Sequence, residues 1–168
     1  FNPFHKEFEL LRGTKAATAA DVLFLPSGHL NIPAGIRTLS NGLFREEAEK
    51  ALEANGYHSG FYFTPSVRND SLYAMKDAKS PQSSSTFQGL TNAVSLFIEI
   101  RGIGLGRACF TRRAECGFLV SRSLLETAAL HSKEVRSGIR KAVKEACSGK
   151  NDISVTFQSA RTELPVTF

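Results

Sequence analysis

The 168-residue sequence lacks the features that mark several large classes of protein. Its three cysteines are an odd number and include no Cys-x-x-Cys pair, so they predict neither a disulfide framework nor a zinc knuckle. No apolar run approaches the roughly 18–20 residues of a membrane-spanning helix, and no signal-peptide pattern opens the chain. Because the chain starts at Phe1 and not at a methionine, we expect it to be a piece of a longer protein.

The excess of positive over negative charge is also small, since the formal net charge is only +5. Basic residues are nevertheless concentrated between Arg107 and Lys150, where ten lysines and arginines are opposed by four glutamates. Such a segment could bind a nucleic acid or an acidic partner. No aromatic residue is interleaved with these charges after Phe118. We therefore expect a solvated helix face and no nucleic-acid partner, with a basic polyanion-binding module as an alternative.

Residues 96–107 read LFIEIRGIGLGR, an apolar run followed by three glycines. A dinucleotide-binding loop requires the spacing G-x-G-x-x-G between a strand and a helix, with an acidic residue about 20 positions later. Here the glycines alternate as G-x-G-x-G, and no Gly-Lys-Ser or Gly-Lys-Thr follows. The spacing argues against a phosphate-binding loop, and we interpret the glycines as residues that turn the chain toward a helix.

Glu99 is the one acidic residue inside that apolar run. Alternation along a strand places Phe97, Glu99 and Arg101 on one face, and Ile98 and Ile100 on the other. A buried carboxylate is unfavourable unless it is paired, hydrogen-bonded or functional. The residues alone leave two interpretations open. One is an ion pair between Glu99 and Arg101, and the other is a general base, which in a metal site would take a proton from metal-bound water.

The order of predicted elements indicates an α/β fold. Strands are predicted at 21–25, 60–64, the second half of 89–100, and 153–157. Helices are predicted from Pro33 to about Asn55, at the start of 89–100, and as two helices within 107–146. We expect a long surface loop over 65–85. We also expect a single domain over 1–168, with 1–20 irregular and 151–168 as the start of a further segment.

The two helices within 107–146 are predicted to break near His131, with Ser132 capping the second. Apolar spacing also predicts which side chains face inward. On the first helix these are Phe110, Ala114, Phe118, Leu124, Leu125 and Ala128. On the second they are Ile139, Val143 and Cys147.

Metal ligands were sought among the four histidines. His131 and Glu134 form the one His-x-x-Glu motif, but it lies at the predicted helix junction in a charged stretch, so we expect exposed helix-end polarity. His29 and His58 are expected to be loop residues, and His5 lies close to the start of the chain. No set of three metal ligands is predicted from these residues.

The segment NAVSLFIEIRGIGLGRACFTRR (92–113) resembles the C-terminal part of zinc-dependent metallocarboxypeptidases, notably bacterial members. In that family a strand ends in an E-x-R unit, followed by glycine-rich sequence and a long helix. Residues 21–44 and 88–95 also resemble the family in order and spacing. The resemblance implies an α/β fold with a mixed central sheet flanked by helices. It also implies a zinc cofactor, a peptide or amide substrate, and hydrolysis usually at the C-terminal residue, in a bacterial periplasmic or secreted protein.

By this resemblance, Glu99 matches the general base that acts on zinc-bound water, and Arg101 matches an orienting or structural partner. Tyr73 is a candidate for the family's substrate-binding tyrosine on a mobile loop. The family's zinc ligands are expected at or upstream of Phe1, in an N-terminal part of the same protein, so we expect this piece alone to be inactive. The alternative is a non-catalytic binding or scaffold domain of the same fold.

Overall fold

The computed structural model describes residues 2–3, 20–68, 71–75, 80–101, 107, 109–150 and 152–155, with the backbone only at 2–3, 64–68 and 71–75. The strands are β1 (Asn2–Pro3), β2 (Val22–Pro26), β3 (Ser59–Phe61), β4 (Thr64–Arg68), β5 (Ser71–Met75) and β6 (Leu96–Ile100). The helices are α1 (Ala34–Thr38), α2 (Arg45–Glu53), α3 (Ser84–Leu90), α4 (Phe110–Leu130) and α5 (Ser132–Ala146). A π-helical segment, Leu39–Phe44, joins α1 to α2.

The main sheet is mixed, with the strand order β1-β6-β2-β3. β6 runs parallel to β1 and antiparallel to β2, and β2 runs parallel to β3. β2 lies inside the sheet and is buried along its whole length, which is why its sequence is an unbroken apolar run and not an alternating one. The predicted α/β class with a mixed sheet and flanking helices is therefore confirmed. Within 1–20, which was predicted to be irregular, Asn2–Pro3 form β1, and residues 1 and 4–19 lie outside the described residues.

The larger of two core clusters lies between one face of the sheet and helices α2 and α4. Its buried members are Val22, Phe24, Ala48, Leu52, Ile98, Cys116 and Val120. Leu96 and Ile100 of β6 pack against this cluster, so alternate residues of β6 face the helices and Glu99 faces the other side of the sheet. The buried members of the smaller cluster are Ile32, Ile36 and Ala142.

The helix predicted from Pro33 to about Asn55 is confirmed as one helical stretch from α1 through α2. Gly42, where a bend was expected, lies within the π-helical segment. Gly56 follows the end of α2 with a φ of +77°, the left-handed conformation that glycine adopts readily. The predicted stop signal is thus also confirmed.

The loop predicted over 65–85 is wrong. β4 and β5 pair antiparallel there, with Ser66 opposite Tyr73, and α3 begins at Ser84. The segment is polar and contains two prolines, which is typical of a loop. A two-stranded ribbon outside the main sheet does not need the apolar alternation by which strands are recognised, so the sequence gives no strand signal.

The strand predicted at 153–157 is not formed over Asp152–Val155, and residues 156–157 lie outside the described residues. The side-chain amide of Asn31 takes the place of a neighbouring strand. Its Nδ2 donates to the Ser154 carbonyl at 3.0 Å, and its Oδ1 accepts from the Ser154 N–H at 2.7 Å. The backbone at this position is therefore satisfied without a sheet.

The break between α4 and α5 is confirmed, but the predicted cap is wrong, because His131 occupies the N-cap position and Ser132 is already helical. The inward face predicted for α4 is wrong in its main members. Phe110, Phe118 and Leu125 are 64%, 61% and 73% exposed. The buried face of α4 consists of Cys116, Val120, Ser123 and Thr127.

The inward face of α4 was predicted wrongly because this helix carries apolar residues on two opposite faces. The face with the smaller side chains packs against the sheet, since small side chains allow a closer approach. Gly117 lies against Ile100, where an added Cβ would be only 3.3 Å from the Ile100 Cδ1. On α5, Ile139 packs inward as predicted, whereas Val143 and Cys147 are exposed. None of the described helices combines the length and apolar character needed to cross a membrane.

Candidate functional site

Glu99 lies one residue before the end of β6, a strand with neighbours on both sides. It is opposite Leu23 of β2 and Asn2 of β1. Hydrogen bonding to two strands fixes the backbone at this position. The Glu99 residue is only 8% exposed, so the strand holds a carboxylate in a largely buried position.

The described side chains on the face of the sheet that carries Glu99 include several apolar ones. Leu23 and Leu25 are both buried there, and Phe97 meets Tyr62 edge-on with ring centroids 5.8 Å apart. The predicted alternation along β6 is thus confirmed for residues 96–100.

Arg101 follows β6 directly and is half-buried. Its backbone N–H donates to the Asp21 carbonyl at 2.8 Å, which extends the pairing with β2 by one residue beyond the strand. The chain is therefore anchored on the C-terminal side of Glu99 as well. The ion pair between Glu99 and Arg101 stays a prediction.

Tyr73 lies on β5, within the antiparallel pair of β4 and β5, and not on a loop as predicted. Only the backbone is described at this position. Its role toward a substrate stays a prediction.

Asp21 was missed by the sequence reasoning. It is only 7% exposed and lies directly before β2. Its Oδ2 accepts from the His58 N–H at 3.1 Å, and its Oδ1 lies 3.5 Å from Nη1 of Arg112 on α4. The Asp21 N–H in turn donates to the His58 carbonyl at 2.8 Å. The signal in the sequence was an acid immediately before a buried apolar run, a position where a carboxylate has to be held by donors.

Tyr57 and two residues of α4, Glu115 and Cys116, lie beside the contact between Asp21 and Arg112. The Tyr57 hydroxyl donates to Oε2 of Glu115 at 2.6 Å, and this hydrogen bond raises the pKa of Tyr57 to about 12. Burial raises the pKa of the neighbouring Cys116 thiol to about 11. A protonated phenol and a protonated thiol are poor nucleophiles at neutral pH. We therefore interpret this cluster as the fastening of α4 to the sheet, not as a reactive site.

His29, His58 and His131 lie where their sequence context predicts, the first two outside helices and strands and the third at the helix junction. His131 Nδ1 lies 3.1 Å from Oε2 of Glu134, and both side chains are exposed at the helix junction. His29 is a buried loop residue whose Nδ1 accepts from the Asn31 N–H at 3.1 Å. Within the described ranges, no three His, Cys, Asp or Glu side chains are grouped so as to hold a metal ion. His5 lies outside those ranges.

A shallow cavity of about 410 Å³ lies at the other end of β6 from Glu99. Its walls include Phe44, Leu96 and Leu124, together with the serines Ser84, Ser85 and Ser95. Two of these serines are engaged with each other, because the Ser95 hydroxyl donates to the Ser85 carbonyl at 2.6 Å. Leu96 points to the helix side of the sheet, so this cavity is separate from the face that carries Glu99.

Comparison with known proteins gives a partial match. No protein-family model matches the chain, and no solved structure does. The chain is 35% identical over 145 residues to "Probable carboxypeptidase 2" of Arthroderma benhamiae. It is 33% identical over 142 residues to "Carboxypeptidase 2" of Trichophyton rubrum. Each match covers 84% of this chain but only 27% and 26% of those proteins. The chain is thus similar to about a quarter of the length of fungal proteins named carboxypeptidase 2.

Proposed function

We propose that this chain is the C-terminal portion of a zinc-dependent carboxypeptidase-like hydrolase, in which Glu99 is the general base. The observation that carries the proposal is the position of Glu99, a carboxylate 8% exposed near the end of a strand paired on both sides. The similarity to fungal proteins named carboxypeptidase 2 supports a peptidase-type hydrolase. Those relatives are fungal, so the resemblance to bacterial members, and a periplasmic or secreted location, stay predictions.

A general base must be held within hydrogen-bond reach of the proton that it removes. Backbone pairing with strands on both sides of Glu99 limits the movement of its backbone. The Arg101 N–H, which donates to the Asp21 carbonyl, also holds the chain directly after β6. In the proposed reaction, the Glu99 carboxylate accepts a proton from the attacking water and later returns it to the leaving amine. Arg101 is proposed to orient or neutralise charge beside Glu99, and Tyr73 to contact the substrate.

The described residues do not by themselves fit a zinc site, because no three potential ligands are grouped among them. We therefore propose that most of the ligands come from a part of the polypeptide that the relatives have and these 168 residues do not include. His5, which lies outside the described residues, is a candidate for one of them. When bound, zinc would act as a Lewis acid on water and on the substrate carbonyl.

The test is Glu99→Gln in the full-length protein. Glutamine keeps the size of the side chain and one acceptor oxygen but cannot take up the proton. We expect kcat for release of the C-terminal residue from N-blocked dipeptides to fall at least ~10²-fold. Zinc content, measured by mass spectrometry of the purified protein, should be unchanged. Glu126→Gln on the exposed surface of α4 is the matched control and should retain activity. Full activity in Glu99→Gln would exclude Glu99 as the base.

The scaffold alternative has its own support in the pairing of Asp21 with Arg112, which shows that a buried acid in this chain can serve packing. If Glu99 and Arg101 form only a structural ion pair, Glu99→Gln should lose about 3–5 kcal/mol of stability. The double variant Glu99→Gln, Arg101→Gln should then recover much of that loss. Chemical unfolding of the three proteins distinguishes this outcome from loss of a base, which would reduce activity with little loss of stability.

A further inference from the structure

α4 has a second apolar face that points away from the core. Phe110, Ala114, Phe118, Leu125 and Ala129 form this outward face, and all five are exposed. At about 100° per residue they fall within a sector roughly 100° wide, the width of an ordinary buried helix stripe. This sector lies opposite the buried residues on the other side of the helix.

Every residue of α4 is described, and none of the five residues that form the outward face is charged. Arg122 lies at its border and pairs with Glu126 at 2.8 Å between Nε and Oε1, and the Arg113 guanidinium lies 6.0 Å from the centroid of the Phe110 ring. α5 is the contrasting case. Its exposed residues include Lys133, Arg136, Arg140, Lys141 and Lys144. The chain therefore builds an ordinary solvated helix surface on α5 and a surface of different character on α4.

A helix that is apolar on both sides is normally covered on both sides. We propose that the outward face of α4 packs against a further segment of the same polypeptide, one that the curated relatives have and these 168 residues do not include. This inference rests on the proposed function, because it takes the chain to be a portion of a longer peptidase.

Size favours a segment of the same polypeptide over a second copy of this chain. Phe110, Phe118 and Leu125 are 64%, 61% and 73% exposed. With about 150–250 Å² for a large side chain, they present roughly 400 Å². A stable complex of separate chains buries about 800 Å² on each partner. A covalently connected segment avoids most of the entropy of association, so a smaller area is enough. The relatives are long enough to include such a segment, since the match covers only about a quarter of each of them.

The chemistry of the outward face also indicates what covers it. The Ser121 hydroxyl, which lies in the same sector, already donates to the Gly117 carbonyl at 2.7 Å. The face therefore offers little to a strand edge or loop that brings unsatisfied backbone groups. An amphipathic helix satisfies its own backbone and presents only side chains, so we assign the covering segment to that class.

The test is photo-crosslinking in the full-length protein. The aromatic photo-crosslinker p-benzoylphenylalanine replaces Phe118, and, as the control, Lys141 on the exposed face of α5, whose side chain is 78% exposed. After irradiation, the crosslinked peptides are identified by mass spectrometry. We expect position 118 to crosslink within the same molecule to a segment outside these 168 residues, and position 141 to give no such product.

Every other outcome overturns the proposal. A dimer-sized product from position 118 would assign the face to a second copy. A crosslink to residues within 1–168 would assign it to this chain itself. No crosslink, as at position 141, would show that the face is open to solvent. The readout does not depend on activity, so failure of this inference is distinguishable from failure of Glu99 as the general base.

Discussion

Truncation of one leucine on α4 has an effect that depends on whether the outward face is covered. Leu125 lies on that face and is 73% exposed in the described part of the chain. Leu130 is on the same helix and is 82% exposed, but five residues further on it points about 140° away. The pair Leu125→Ala and Leu130→Ala therefore changes the same atoms on the same helix and differs mainly in the face affected.

The expected magnitudes follow from burial. A leucine that is largely exposed loses few contacts on truncation, and surface changes of this kind are usually within about 0.5 kcal/mol. A leucine packed between two helices loses about 2–5 kcal/mol when cut to alanine. In the full-length protein we expect Leu125→Ala to fall in the second range and Leu130→Ala in the first. Leu52→Ala, in the fully buried core, sets the scale and should also lose about 2–5 kcal/mol.

The assay is urea unfolding of the full-length variants, followed by far-UV circular dichroism. Comparison of the midpoints at a common slope gives the differences in unfolding free energy. If Leu125→Ala and Leu130→Ala both lose less than about 0.5 kcal/mol while Leu52→Ala loses several, the outward face is uncovered and the reasoning is refuted. A loss at Leu125 that grows with protein concentration would instead indicate a dimer contact.

Two further predictions concern the described residues alone. Burial raises the pKa of the Cys116 thiol to about 11, so we expect Cys116 to stay unmodified by a thiol reagent at pH 8. The other two cysteines are exposed and should react. Residue-resolved mass spectrometry checks this, and rapid labelling of Cys116 in the folded protein would contradict it. Gly89→Ala places a Cβ only 2.5 Å from Cδ1 of the buried Ile32, so thermal unfolding should show a loss of about 1–3 kcal/mol, whereas Gly42→Ala, with nothing within 4 Å, should be neutral or stabilising.

Elements with strong local signals could be predicted from the sequence. β2 is recognised from its unbroken apolar run, which reflects burial along its whole length. The helix between Pro33 and Gly56 is recognised from a proline at its start and a glycine in the left-handed conformation after its end. These signals all lie in neighbouring residues of the sequence. The pair β4 and β5 could not be predicted, because a polar ribbon carries no alternation. The end of the described chain could not be predicted either, since Asn31 satisfies Ser154 across 123 positions of sequence.

The error on α4 has a different cause. Apolar spacing predicted that Phe110, Phe118 and Leu125 face inward, which is sound for a helix with a single apolar face. The sequence cannot show which of two apolar faces meets the sheet, because that depends on how closely the backbones approach. Gly117 and the small Cys116 settle the question in favour of the other face. Of the predicted stripe, Phe110, Ala114, Phe118 and Leu125 do share one face of α4, the outward one, whereas Leu124 packs against the core.

The candidate site shows the same division. Alternation along β6 was sufficient to predict the face of Glu99, because period-two geometry is local. The role of Asp21 was not predictable, since its partners on α4 and beside β3 are distant in sequence. Glu99 and the outward face of α4 lie on opposite sides of the sheet and its helix layer. If the remaining polypeptide both completes the chemistry at Glu99 and covers α4, it must reach both sides. A polypeptide that only covered α4 would not account for the proposed role of Glu99. One that only supplied metal ligands near Glu99 would leave Phe110 and Phe118 exposed to water. The activity of Glu99→Gln and the crosslink from position 118 therefore test two separate requirements on the proposed remainder of the polypeptide.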